Sequence, residues 1–126
     1  MHTPVTEFLV LKRRQRQIRQ QDLARMVNVG PSYISAVEGG RRLPRSKAFW
    51  NQVSKALNLD ENEDRALQEA LRRSAPTLKI PTETSPAIRE ILFDLVDRGD
   101  TLPHALLEIV RIATKASPTR LGKEQP

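Results

Sequence analysis

The chain has 126 residues, 38% of them hydrophobic, 29% charged and 4% aromatic, a size that suits one small domain plus an appendage. The net charge of +6 is uneven: residues 1–58 carry a net +8 and residues 59–126 a net −2, which suggests a polyanion partner for the first half and another task for the second. No cysteine is present, which excludes disulfide scaffolds, thiolate metal sites and cysteine nucleophiles, and His2 and His104 lie too far apart for a metal-binding His-x-x-x-His spacing.

Strand-like alternation is missing, and helical periodicity recurs along the chain. The spacing predicts a first helix over Thr6–Gln17 with Phe8, Leu9 and Leu11 as its apolar stripe. A second is expected over Gln20–Val27, with Leu23, Ala24 and Val27 inward. Asn28-Val29-Gly30 breaks it, because Asn and Gly both tolerate positive φ. Arg19, where a hydroxyl cap is more usual, leaves room for a displaced start. A third helix opens at Pro31, a favoured first helical residue, buries Ile34 and Val37, and ends at Gly39-Gly40.

The loop Gly40–Arg45 is basic, and Pro44 stops any helix crossing it. Ser46 then caps a fourth helix carrying Phe49, Trp50, Val53, Ala56 and Leu57. Asp60 and Glu63 form a capping-box pattern for a fifth, Glu61–Arg73, with Ala66, Leu67, Ala70 and Leu71 inward. Residues 1–75 are thus expected to form one all-α domain and 76–85 a Pro- and Thr-rich linker. Ser85-Pro86 opens a sixth helix with Ile88, Ile91, Leu92, Leu95 and Val96 on one stripe, closed by Gly99. Thr101 and Pro103 open the last, with Leu106, Ile109, Val110 and Ala113 inward. Residues 86–116 form this helical pair, and 117–126 read as a polar, disordered tail.

The informative segment is Gln20–Gly40: a short helix, a three-residue turn and a second short helix inside a basic region. That is the layout of a DNA-binding helix-turn-helix, whose second helix enters the major groove. Its residues resemble the lambda-repressor-like (Cro/repressor, XRE-type) family over about residues 6–59. Gln20, Leu23, Ala24, Val29, Ile34, Ser35, Glu38 and Gly40 fall at the family's spacing, followed by Arg42 and Pro44. The resemblance implies a five-helix DNA-binding domain, with the C-terminal pair as an extension. It implies that Gln20 grips a backbone phosphate and that Glu38, the only acid between Asp22 and Asp60, pairs with Arg13.

Pro31, Ser32, Tyr33 and Ala36 are the expected base-reading face of the third helix. They are small or weakly selective readers, so DNA shape and half-site spacing are expected to supply much of the specificity. Tyr33 has two readings, a DNA contact or packing against the first helix. Arg41, Arg42 and Arg45 are expected on phosphates. The run Arg13-Arg14-Gln15-Arg16 reads first as a solvated helix face.

The expected function is a dimeric, sequence-specific transcription regulator binding double-stranded operator DNA, an autoregulating repressor, with residues 86–116 joining two copies. The alternatives are an antitoxin whose C-terminal helices wrap a protein partner, and an RNA-binding regulator, against which the scarcity of stacking aromatics counts. No nucleophile–base spacing, metal motif or cofactor fingerprint supports an enzyme. The longest apolar run is Phe8–Leu11 and no signal-peptide pattern opens the sequence, so no membrane association is expected, and a cytoplasmic, DNA-bound location is.

Overall fold

The computed structural model describes residues 2–116. Its helices are α1 (Pro4–Gln15), α2 (Gln20–Met26), α3 (Pro31–Glu38), α4 (Lys47–Ala56), α5 (Glu61–Ser74), α6 (Pro86–Arg98) and α7 (His104–Ala116), with a single 3-10 turn, Gly99–Thr101, between the last two. The described residues contain no strand, so the fold is all-α. The chain divides into two compact units, Met1–Leu78 and Lys79–Pro126. The expected tail from residue 117 lies outside the described residues.

Helix α1 starts earlier than the sequence pattern predicts. Thr3 and Thr6 close a reciprocal cap: the Thr6 amide donates to Thr3 Oγ1 at 3.4 Å, and the Thr3 amide donates to Thr6 Oγ1 at 2.8 Å. Pro4 follows as the first helical residue, where its missing N–H costs nothing. This start fixes the inward face as Val5, Leu9 and Arg13, spaced four apart. Leu11 lies half a turn away from Leu9 and is exposed, and Phe8 is half-buried, so the expected Phe8–Leu9–Leu11 stripe is corrected. The α5 face needs a similar correction, since Leu67 and Ala70 are buried and Ala66 is exposed. Helix α2 begins at Gln20 without a side-chain cap; Arg19 reaches forward to Asp22 instead, and the start is not displaced.

Four of the helices end alike. Gln17, Asn28, Gly40 and Asn58 take left-handed φ values of 58°, 62°, 78° and 52°. In each case the next residue sends its amide back to the helix: Ile18 to Arg13, Val29 to Ala24, Arg41 to Ala36 and Leu59 to Ser54. Such caps satisfy carbonyls that a helix end leaves bare, and they turn the chain sharply enough for the next helix to pack.

The core of the first unit gathers Val5 and Leu9 from α1, Leu23 and Ala24 from α2, and Ile34 and Val37 from α3. Phe49, Trp50 and Val53 from α4 and Leu67 and Ala70 from α5 complete it, with Val27 and Leu57 at helix ends. Fully burying a leucine or isoleucine contributes about 1.5–3 kcal/mol, so this cluster outweighs any single surface ion pair. Leu23, Ala24, Ile34 and Val37 hold α2 against α3. Ser74 Oγ accepts from the Val5 amide at 2.9 Å and ties the end of α5 to the start of α1.

In the second unit Ser85 caps α6 through the Ile88 amide, and Gly99 ends it with φ 51°. Neither α6 nor α7 contains a buried residue. Leu106, Ile109, Val110 and Ala113 of α7, expected inward, are exposed. Along the α6 stripe Ile88, Ile91 and Val96 are exposed and Leu92 and Leu95 half-buried.

Candidate nucleic-acid interface

Helices α2 and α3 are joined by the turn Val27–Gly30, with Asn28 supplying the left-handed residue that lets the chain reverse. The first turn of α3 exposes Pro31 and Ser32. Gly30 precedes it without a side-chain cap, so the amide groups at this end are not covered by a capping side chain. Tyr33 and Ala36, expected on the same outward face, are half-buried. The Tyr33 ring packs edge-on against Phe49 of α4, with centroids 5.6 Å apart, rather than on α1. The Arg42 guanidinium lies 5.2 Å from its centroid. Ala36 is partly covered by the loop behind it, whose Arg41 and Arg42 amides both donate to the Ala36 carbonyl.

Five cations of α1 and α2 are held by three carboxylates, while Arg14, Lys55 and Arg65 meet none among the described residues. Arg13 Nε and Nη2 grip Glu38 at 2.6 and 3.1 Å, with both side chains buried. Lys12 and Arg16 share Glu63 at 2.9 and 2.8 Å, and Arg19 and Arg25 share Asp22 at 2.9 and 3.3 Å. The two guanidinium and ammonium partners of Glu63 hold its carboxyl well below the usual glutamate range, at about 2. The run Arg13-Arg14-Gln15-Arg16 is thus not one solvated face, because Arg14 alone of its arginines has no carboxylate partner.

Four more cations without carboxylate partners cluster after α3. Arg41, Arg42, Arg45 and Lys47 are exposed and, among the described residues, none meets a carboxylate within ion-pair distance. Arg41 is the residue that follows the left-handed cap of α3. At the three other caps this position holds Ile18, Val29 and Leu59, each packed on the core, which is the usual arrangement. An arginine there keeps the backbone cap and projects a charge. The loop is held from behind by Trp50, whose Nε1 donates to the Pro44 carbonyl at 2.7 Å, and by the Phe49–Trp50 edge contact at 5.0 Å. Free cations on an anchored loop favour an extended polyanion, because little ordering is left to lose on contact.

Gln20 sits at the first position of α2, half-buried, and its Nε2 donates to Glu38 Oε1 at 2.8 Å. One amide hydrogen is therefore committed to the Arg13–Glu38 pair, and the other stays available to an acceptor such as a phosphate oxygen. Arg13 Nη1 also donates to the Ile18 carbonyl at 2.8 Å, so α1, the turn into α2, α2 itself and the end of α3 converge on one carboxylate. Sequence reasoning missed Lys47 as a member of the free set. Its signal was its place next to the Ser46 cap, outside the reach of any carboxylate one helical turn away.

A basic helical unit in which two short helices are joined by a tight turn, with unpaired cations on the loop that follows the second, has the layout of a DNA-binding helix-turn-helix domain. Residues 7–68 match the family model described as a helix-turn-helix domain, a match consistent with the XRE/lambda-repressor-like group. Searches of the curated proteins and of the solved structures returned no match. Among the described residues no group of acids and histidines is arranged to hold a metal, and no helix is long and apolar enough to cross a membrane.

Proposed function

We propose that the protein is a dimeric transcription regulator that represses its own promoter by occupying an operator. The observation that carries this reading is the grouping of free cations, Arg41, Arg42, Arg45 and Lys47, along the loop that follows α3 and into the start of α4, with Arg42 reaching the Tyr33 ring, while the α1 and α2 cations, Arg14 apart, are held by carboxylates. In this reading Pro31 and Ser32 meet base edges, with Tyr33 and Ala36 behind them. Gln20 and the loop cations take phosphates on either side. One such module reads only a few base pairs, so two copies are needed on two half-sites about one helical turn apart. The apolar residues of α6 and α7 left exposed, among them Ile91, Phe93, Ile109 and Ile112, support pairing of the second unit with another copy. Operator occupancy then blocks transcription without any further surface.

The test is a footprint on the DNA upstream of the protein's own gene. Two protected half-sites related by a two-fold axis are expected. Uniform, sequence-independent protection rejects the regulator reading. The same exposed faces of α6 and α7 also fit an antitoxin that binds a toxin, and a small protein co-purifying in fixed ratio favours that reading over the homodimer.

A further inference from the structure

Beside the cationic loop, and wholly within the first unit, a cleft of about 470 Å³ opens between the loop with the start of α4 and the last turns of α5. Its apolar lining comes from Leu43, Trp50 and Leu71; its charged lining includes Arg45 and Lys47. No acidic residue lines it, and the third cation there, Arg72, is already shared with Glu69 at 2.7 Å. The volume lies in the range of small-molecule sites, and the lining mixes apolar with polar side chains. The two cations without carboxylate partners set the sign of the ligand's charge, since a charge-assisted contact is about twice as strong as a neutral one.

We propose that this cleft binds an amphiphilic organic anion, a carboxylate carrying an aryl or alkyl group, which competes with DNA for Arg45 and Lys47. The apolar part lies against Leu43 and Leu71, beside the edge of the buried Trp50 ring, and the carboxylate meets the two cations. Trp50 also holds the Pro44 carbonyl, so a ligand beside the indole edge acts on the loop that presents Arg41 and Arg42. The competition half rests on the DNA-binding reading above; the binding half does not. Because coupling between two ligands is reciprocal, DNA must weaken the anion by the same factor as the anion weakens DNA.

Trp50 is the only tryptophan in the chain, so its emission reports the cleft directly. The full chain is titrated with 4-phenylbutyrate, and with 4-phenylbutanol as the neutral analogue, first without DNA. Phenylbutyrate is expected to change Trp50 emission saturably, with the alcohol about tenfold weaker. Gln68→Glu places an acid in the cleft on an exposed α5 position and should weaken phenylbutyrate about tenfold. With the natural chain, phenylbutyrate should raise the apparent Kd for duplex DNA measured by fluorescence anisotropy. An unresponsive Trp50, or equal binding of acid and alcohol, overturns the site. A saturable Trp50 response with no effect on a measurable duplex affinity overturns the competition alone. A saturable response in a protein that binds no duplex leaves the site standing and rejects the DNA-binding reading.

Discussion

Arg13 and Glu38 lie 25 residues apart in sequence and meet side-on, Nε to Oε2 at 2.6 Å and Nη2 to Oε1 at 3.1 Å, both buried. This pair joins the end of α1 to the end of α3, and Gln20 adds the start of α2 to the same carboxylate. The relative angle of the two helix-turn-helix segments is therefore set by packing on one side and by this polar junction on the other. Removing one partner strands the other charge, which costs more than the pair itself contributes. Glu38→Ala is expected to lower stability by about 3–5 kcal/mol in urea denaturation, with Arg13→Ala plus Glu38→Ala costing clearly less than the sum of the singles. Additive losses would show that the two residues act independently.

Salt should govern the DNA affinity. If three to five phosphates are neutralised per subunit, log K falls against log salt with a slope of about −3 to −5 per subunit. Arg41→Ala with Arg42→Ala should flatten that slope by about 2 and weaken operator and random duplex alike, as read by anisotropy titrations at several salt concentrations. A loss confined to the operator would make these residues base readers.

Ser32 and Tyr33 separate specificity from architecture. Ser32 is exposed at the start of α3, so Ser32→Ala should leave stability within about 0.5 kcal/mol and reduce discrimination among duplex sequences. Tyr33→Phe keeps the ring between Phe49 and Arg42. It should preserve both stability and operator affinity if the ring is structural. A selective loss of affinity in Tyr33→Phe, seen in a gel-shift series, would assign the hydroxyl a DNA contact.

Glu63 makes a pH prediction. Its carboxyl is held at about 2, against an ordinary value of 4.5, by hydrogen bonds from Lys12 and Arg16 and by the Asp60 amide. A carboxylate with a depressed pKa stabilises the fold above its unfolded-state value, and that contribution disappears as pH falls toward the folded-state value. Glu63→Gln can still accept the Asp60 amide of the α5 cap. Natural chain and variant should therefore differ in melting temperature at pH 6 and converge between pH 4.5 and about 2. The difference should also shrink at high salt, because the pair is partly exposed. A gap that persists at pH 2 would place the contribution elsewhere.

Assembly is tested on the second unit. Ile91→Glu and Ile109→Glu put charges on the exposed apolar faces of α6 and α7. Sedimentation should show the natural chain as a dimer at micromolar concentration and both variants as monomers. Melting of the first unit should be unchanged. The variants should lose affinity for a two-half-site operator far more than for a single half-site. A natural chain that sediments as a monomer removes the dimer from the proposal.

The amino-acid sequence by itself determined the α2–turn–α3 segment, its cap residues Asn28 and Gly40, and the caps Ser46, Asp60–Glu63 and Ser85. These are local devices, written within one or two helical turns, so spacing alone reveals them. The ion pairs from Asp22 to Arg19 and Arg25 were open to the same reading, at three residues' separation. The α1 start was misread because its cap uses Thr at both ends, a weaker signature than the Ser/Thr with Glu/Gln of the usual box. The family resemblance already implied the Arg13–Glu38 pair, but tertiary structure alone decided that Lys12 and Arg16 are held by a carboxylate. Glu63 stands 51 and 47 residues away from them, and attraction between charges depends on distance through space, which the order of residues does not record. The same holds for Tyr33, whose ring finds Phe49 only once α4 has folded back over α3, and for the cleft, whose walls come from residues 43–51 and 68–75.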